Sequence, residues 1–578
     1  MMTRNLKILD INLNEQRLEV HHRQDLSPFL GGIALATKLY AELSNAAADP
    51  LAPEQPLILA NGPLSTIFPV VTKVVAVFKS PLTGEWGESY AGMRLALAMR
   101  LAGFRAIVIR GRAKGPTYLS IGPNGVKFKN ATALWGLNVG ETGSILRRLE
   151  PGSGHRSCLR IGPAGEKCVR YANVNVDTYR HFGRLGLGAV FGAKNLKAVV
   201  IHGDKNESIP DFKTYNQVYQ DIYQRVVNTD IMDKYHGIGT AINVNALNNL
   251  GGLPTKNLQS GTFEHAHNIS GEAFAEQSLI RKMACSGCPV GCIHIGLRRR
   301  EFGPGYEYES KGISYDHELI FALGSFLGMS SQEKVYDLID MVEELGLDAI
   351  SAGVVLGWVT EAYQNGLIDE KTLGTSVAFD DTRGYLEVLK NIVYPPNSFY
   401  ATLAKGTETA AQQYGGLDYA IALGKTEIPG YHTGHANVIG LAVGARHSHL
   451  DNAGYSVDQK NREQNNPEQM VATLVKEEKW RNVLNSLCIC LFARGIYDED
   501  TVVAALNSIG IETNVAALNQ LGEDIFKLKH QLRTQMGYNI EELRFPKRFF
   551  ETQSLTGILK PETIDKMLAI YKQQLSSE

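Results

Sequence analysis

Three of the seven cysteines stand within eight residues, in the run ACSGCPVGCIH, which places Cys285, Cys288 and Cys292 at CxxCxxxC spacing. That spacing lets three thiolates converge on one inorganic centre from a single loop. Gly287, Pro289 and Gly291 predict a tight, non-helical wrap. An iron-sulfur cubane would need a fourth thiolate from Cys158, Cys168, Cys488 or Cys490, and spacing does not choose among them. Two other readings stand beside the cluster. One is a four-cysteine zinc site, although such sites usually come as two CxxC knuckles. The other is a set of buried free cysteines.

A second signal is glycine. The stretch GRLGLGAVFGAKNLKAVVI supplies Gly183, Gly186, Gly188 and Gly192, which could admit a phosphate or a polycyclic ligand close to the backbone. It is not the dinucleotide fingerprint: the last glycine falls one position late, and the stretch leads into a strand rather than out of one. By itself it reads equally as a ligand cradle or a structural turn.

Several function classes have no support. A net charge of −2, with 20% charged and 44% apolar residues, argues against nucleic-acid binding, which needs a clustered basic surface. Arg298, Arg299 and Arg300 form a basic triplet read as a solvated local feature. No run of apolar residues approaches a membrane span, and the N-terminus shows no secretory pattern, so a cytoplasmic protein is expected.

The elements that must position these residues divide the chain. From Leu6 to about Gly203, short β-type runs such as LKILDINL, KVVAVFKS, FRAIVIRGR and LKAVVIHG alternate with turns, interrupted by one helix over Met93 to Leu101. Beyond Asp204 the pattern becomes helical, as in QEKVYDLIDMVEELG, and a helical run ends at Gly415-Gly416. The expected class is α+β: a β-rich domain over 1–204, a helical domain with the cysteine loop over 205–415, and a helical domain over 416–578.

The chain resembles the aldehyde:ferredoxin oxidoreductase family over nearly its whole length. The carriers are ANGPL at 60 to 64, KSPLTG at 79 to 84, IGPAGE at 161 to 166, GLGAVFGAKNLKAV at 186 to 199, CSGCPVGC at 285 to 292, GYEYES at 305 to 310, ELGLD at 344 to 348, EIPGY at 427 to 431, NSLCICLF at 485 to 492 and FPKRF at 545 to 549. The resemblance implies a β-rich base for a tungsten or molybdenum bis-pterin, with Mg2+ bridging the pterin phosphates and two helical domains closing over it. It also implies a [4Fe-4S] cluster, oxidation of a small aldehyde to a carboxylic acid, and ferredoxin or an iron-sulfur subunit as electron acceptor. The alternative within the family is a low-potential reductase subunit acting on a carboxylic acid or an aromatic thioester.

Residue by residue, the resemblance makes Cys285, Cys288, Cys292 and Cys490 the cluster ligands. In the motif that carries Cys490, Asn485 replaces the family's aspartate and Cys488 its glycine. Glu343 and Asp348 match carboxylates that accept from pterin N–H groups, and Gly92, Arg180, Gly183 and Arg184 match positions around the pterin and its phosphates. Lys73 stands for an arginine between pterin and cluster, and Tyr90 for an asparagine near the phosphates and magnesium. Glu309 of GYEYES is the implied acid/base, in a dry pocket that would raise its pKa. His449 is implied to polarise or protonate the carbonyl oxygen. Asp337 and Asp340 fall where the family carries a dimer-bridging iron motif; that iron is not expected here, although a homodimer is.

Overall fold

The computed structural model describes residues 5–206, 208–230, 232–460 and 466–577. Its first 201 residues hold two six-stranded sheets. Strands β1 (Leu6–Asn12), β2 (Arg17–Arg23), β3 (Leu57–Ala60), β4 (Val74–Lys79), β5 (Trp86–Ala91) and β6 (Ala106–Arg110) form the first, in order β2-β1-β6-β3-β4-β5. Strands β7 (Thr117–Gly122), β8 (Gly125–Asn130), β9 (Ser157–Arg160), β10 (Val174–Val176), β11 (Arg180–Phe182) and β12 (Leu196–Ile201) form the second, in order β11-β10-β9-β12-β7-β8.

The run VVAVFK explains why β4 is central. Every residue of it is buried, and alternation sends successive side chains to opposite faces. Val74, Ala76 and Phe78 join a core with Leu119 and Leu159 of the second sheet and Phe191 of the helix Leu187–Ala193. Val75 and Val77 join a core on the other face with Ile33 and Leu35 of the helix Gly32–Leu43 and Ile525 of the helix Val515–Gln535. The C-terminal part of the chain thus closes one face of the first sheet.

The expected early helix forms over Leu95–Ala102 and stops at Gly103, which takes the left-handed conformation (φ 83°). The region beyond Asp204 is mainly helical, and one apolar core there runs from Ala241 to Tyr571, across the sequence break at 415. It also contains a three-stranded antiparallel sheet, which sequence reading passed over: β13 (Leu279–Met283), β14 (Ile293–Gly303) and β15 (Glu307–Tyr315). The cysteine loop is the connection between β13 and β14. Among the described residues no helix is long and apolar enough to cross a membrane.

Candidate functional site

The cysteine loop makes the wrap its glycines predict, with positive φ at Gly287 and Gly291. It is pinned to the first sheet: the Ser286 N–H donates to the Met93 carbonyl at 3.0 Å, and the Met93 N–H donates to Cys285 Sγ at 3.2 Å. Gly92 has to be glycine here, since an added Cβ would lie 2.7 Å from Cys285 Sγ. The structure separates the candidate fourth cysteines. Burial, then Cys490, Cys285 and Cys292, pushes the Cys288 thiol up to about 12, so these four thiols share one environment. The Cys490 N–H is held by the Val70 carbonyl at 3.1 Å. Cys488, two residues earlier, is buried with its Sγ 3.8 Å from the Ala60 carbonyl, and burial alone accounts for its rise to about 12. Cys158 is packed in a core with Tyr118 and Leu134.

Two cations face these thiols. Burial pulls the Lys73 ammonium down, but Cys490, Cys285 and Cys292 outweigh it and hold the group above its ordinary value. Arg180, on β11, donates to Cys292 Sγ at 3.9 Å and lies 4.0 Å from Asp316 Oδ2. Burial likewise opposes its charge, and Cys292, Cys285 and Asp316 restore it.

Asp316 opens the way to a second group. It caps the helix His317–Leu323 by accepting from the Leu319 N–H at 3.2 Å, and the first turn presents Glu318. Burial, then Asp316, pushes the Glu318 carboxyl up to about 8. Tyr431 donates to its Oε1 at 3.2 Å, and His449 Nε2 lies 3.5 Å from the same atom. Burial, then Arg184, Arg446 and Arg481, holds His449 well below the ordinary histidine range, so the ring is neutral. Its Nδ1 is buried without a partner, as is Nδ1 of His317. His449 keeps its place through Asp451, which accepts from the Arg446 N–H, the Ser448 N–H and Arg446 Nε at 3.1, 3.1 and 2.6 Å.

A third group lines the seam between the second sheet and the helices. Gly346, at φ 77°, ends the helix Gln332–Leu345, and Asp348 starts the next, Ala349–Gln364, by accepting from the Ile350 N–H at 3.0 Å. The turn between them is tied to the segment just before β10 through an isolated bridge between Ala172 and Leu347. Arg184 Nε donates to Asp348 at 3.2 Å and Nη2 to the Glu427 carbonyl at 2.6 Å. Glu343 sits 2.8 Å from His181 Nε2. Arg184 Nη1, Asn173 Oδ1 and Asn175 Oδ1 are buried without partners. An added Cβ at Gly183 would meet nothing within 4 Å, whereas at Gly192 it would lie 1.8 Å from the Gly165 carbonyl oxygen. The glycine stretch is therefore packing at its end and open space at its start. Unpartnered donors and acceptors beside that space suit a ligand whose edges both donate and accept, as a pterin does.

Other expected residues lie elsewhere. Glu309 is on β15 opposite Arg300, about half exposed and paired at 3.8 Å with Arg298 and Arg300. The shielding expected around it is found instead at half-buried Glu318, because β15 carries Glu309 out along the hairpin. Tyr90 turns its hydroxyl to Glu88 at 3.2 Å, its ring 4.8 Å from the Arg446 guanidinium. Asn485 is buried in the last turn of the helix Pro467–Ser486, and its carbonyl accepts from the Cys488 N–H at 3.2 Å. Arg298 joins Asp337 and Asp340 at 2.6 and 2.9 Å, a guanidinium standing between the two carboxylates. Glu318, Asp316 and Asp451 are functional candidates that sequence reading missed. Their available signal was the D-H-E run at a helix start and the S-x-x-D capping pattern after His447.

The family model described as aldehyde ferredoxin oxidoreductase, N-terminal domain, matches residues 8–203, and the one for domains 2 and 3 matches residues 217–574. The tungsten-containing aldehyde ferredoxin oxidoreductase of Pyrococcus furiosus is 30% identical, over 96% of this chain and 93% of its own length. That of Thermococcus kodakarensis is 31% identical, over 94% and 91%. The WOR-like subunit of an aliphatic sulfonate oxidoreductase from Pyrococcus furiosus is 32% identical, over 77% and 71%. Among solved structures, the active-site complex BamBC of benzoyl coenzyme A reductase with 1,5-dienoyl-CoA superposes with a TM-score of 0.83, covering 99% of this chain and 94% of that one. At 20% identity this is a likeness of fold. By the two models and the full-length relatives, the chain belongs to the aldehyde ferredoxin oxidoreductase family of oxidoreductases.

Proposed function

We propose that this chain oxidises an aldehyde to a carboxylate at a tungsten or molybdenum bis-pterin and passes the electrons through a [4Fe-4S] cluster to ferredoxin or a similar iron-sulfur protein. The observation that carries it is the line Cys292, Arg180, Asp316, Glu318, His449, which joins four neighbouring thiols to half-buried Glu318 beside buried His449. Cys285, Cys288, Cys292 and Cys490 would hold the cluster. Arg180, Gly183, Arg184, Glu343 and Asp348 would hold the pterins, with Gly92 and Lys73 between pterin and cluster, and a magnesium ion is the natural counter-ion for the phosphates. When bound, the metal supplies the two-electron chemistry.

The half-reaction RCHO + H2O → RCOO− + 3H+ + 2e− asks the protein for a base and for a hydrogen bond to the carbonyl oxygen. Glu318 can take a proton from the attacking water once it is ionised, above about pH 8. Neutral His449 can orient the carbonyl through its unpartnered Nδ1. Tyr431 fixes the carboxyl rotamer.

A second reading uses the same site in reverse, as a low-potential reductase of a carboxylic acid or an aromatic thioester. It draws on Glu318 carrying its proton at neutral pH, ready to donate. Anaerobically purified protein should contain about four iron atoms and one tungsten or molybdenum per chain and should reduce viologen on addition of an aldehyde. Stoichiometric zinc with neither heavy metal would refute the proposal. Oxidation of reduced viologen by an acid or thioester, with no aldehyde activity, would favour the second reading.

A further inference from the structure

The oxidation proposed above makes no use of the basic triplet on β14, and the sheet that carries it has two unlike faces. Directly opposed residues share a face, so Arg298 and Lys311 lie on one, while Leu297, Arg299, Glu301 and Tyr308 lie on the other. The first face is covered by the helix Gln332–Leu345. Arg298 meets Asp337 and Asp340 there, and a Cβ added at Gly296 would strike the Tyr336 hydroxyl.

The second face is open and apolar at its middle. Ile280 of β13 is 56% exposed, Leu297 39% and Tyr308 38%. Leu297 pairs with Gly312, where an added Cβ would lie 3.1 Å from Ile295 Cγ2, 3.6 Å from the Tyr179 hydroxyl and 3.9 Å from Ile280 Cδ1. Single apolar residues at a surface are ordinary, whereas a contiguous group marks a contact site. Cations edge the group. Arg299 lays its guanidinium 4.0 Å from the Tyr308 ring centroid, Arg281 stands opposite Ile295, and Arg147 donates to Thr178, beside Tyr179, at 2.8 Å. Among the described residues of the three strands, Glu301 is the acid on this side.

This face is continuous with the cysteine loop. Ile293 and Ile295 pack with Met93 and Cys285, and Cys288 and Cys292 lie against them. Ala284, which joins β13 to Cys285, is exposed, so the loop reaches the surface at the edge of the face. Size limits what fits. β14 has 11 residues, and three strands of that length offer about 35 Å by 14 Å, on the order of 500 Å². That is one side of a transient redox encounter, which buries less than about 1,200 Å² in total, and falls short of an obligate dimer at about 2,000 Å² or more.

We infer that this face docks a small electron carrier, an iron-sulfur protein with an acidic surface. Its carboxylates meet Arg281 and Arg299, and its apolar surface covers Ile280, Leu297 and Tyr308. Two electrons per aldehyde cross here one at a time, each reducing one iron-sulfur centre of the carrier. The inference rests on the proposed oxidation for its electrons, but not for its docking.

Calorimetric titration of the holoenzyme with an oxidised, acidic bacterial ferredoxin tests the docking without turnover. Arg281→Glu combined with Arg299→Glu should weaken binding about tenfold or more, and Leu297→Ser about threefold. Raising NaCl from about 50 to 500 mM should weaken the wild type and hardly affect the double variant. In turnover, the double variant's KM for ferredoxin should rise about tenfold, while its iron content and its aldehyde-dependent reduction of methyl viologen, a small dication that needs no docked protein, stay at the wild-type level. Ferredoxin affinity unmoved by these substitutions would overturn the inference. So would a wild-type dimer in sedimentation that the double variant dissociates, since a second copy would then occupy the face. The expected binding pattern in protein that oxidises no aldehyde would support the docking and sink the reaction alone. Aldehyde-driven viologen reduction with unmoved ferredoxin affinity would do the reverse.

Discussion

Glu318→Gln removes an ionisable carboxyl in contact with both Tyr431 and His449. In the folded chain, burial and then Asp316 raise its pKa from 4.5 to about 8. The folded state therefore binds a proton that the unfolded chain releases. The carboxyl's contribution to stability is fully present below its unfolded pKa and is lost as pH rises through about 8. The shift amounts to about 5 kcal/mol as an upper bound. Glutamine cannot ionise and escapes that loss. The variant should unfold at a higher temperature than wild type at about pH 8.5 and at nearly the same temperature at about pH 5. Activity should move the other way, with kcat/KM falling by about 10²–10⁴-fold for loss of a general base. The wild-type rate should rise with pH to a plateau above about 8, and that limb should be missing from the variant. Aldehyde-dependent viologen reduction across this range, with thermal unfolding on the same samples, reads both effects. A variant that keeps more than about a tenth of the rate, retains the limb, or is less stable than wild type at the alkaline end refutes the assignment.

Cys490→Ala should leave the protein with markedly less iron, whereas Cys488→Ala should keep its iron and lose only about 1 kcal/mol of packing; equal iron contents would show that the fourth ligand has been misassigned. Lys73→Met should lower the cluster's midpoint potential by about 60 mV or more, since a buried positive charge beside the thiolates favours the added electron. A potential unmoved in a redox titration would place Lys73 outside the cluster's field. Gly92→Ala should cost iron too, because its new Cβ needs the space of Cys285 Sγ; full iron content, measured on soluble protein, would contradict that packing.

What could be read from the sequence follows the range of the interactions involved. The β-rich first part was legible because runs such as VVAVFK declare their class over six residues. The cysteine loop was legible because three cysteines and their glycines fit within eight residues. The three-stranded sheet was passed over because its long hairpin is exposed and mixes Arg and Glu with apolar residues, so the alternation is blurred. The choice between Cys490 and Cys488 is tertiary. A positive φ at Cys488 turns its side chain towards Ala60, and no local pattern announces that turn. Glu309 and Glu318 differ only in what surrounds them. Burial of a carboxyl is created by partners such as Tyr431 and His449, more than 100 residues away.

That same sheet explains why Cys292 and Glu318 stay together. β14 begins one residue after Cys292, and its residue His294 pairs with Tyr315 of β15, the residue before Asp316. Cys292 and the Asp316–Glu318 turn therefore leave the sheet at the same end, and Arg180 spans them from the neighbouring sheet. A slip of one residue in this register would turn Tyr315 from the core to the opposite face, so the burial of Tyr315 and Ile313 fixes the spacing. Glu309 lies six residues further along β15, about 20 Å away at the rise of an extended strand. Distance from the cysteine loop along one strand thus decides which glutamate can serve the chemistry. On the proposed assignment, an electron exit at Cys292 and a proton on Glu318 would be joined by a hydrogen-bonded ladder rather than by a flexible loop.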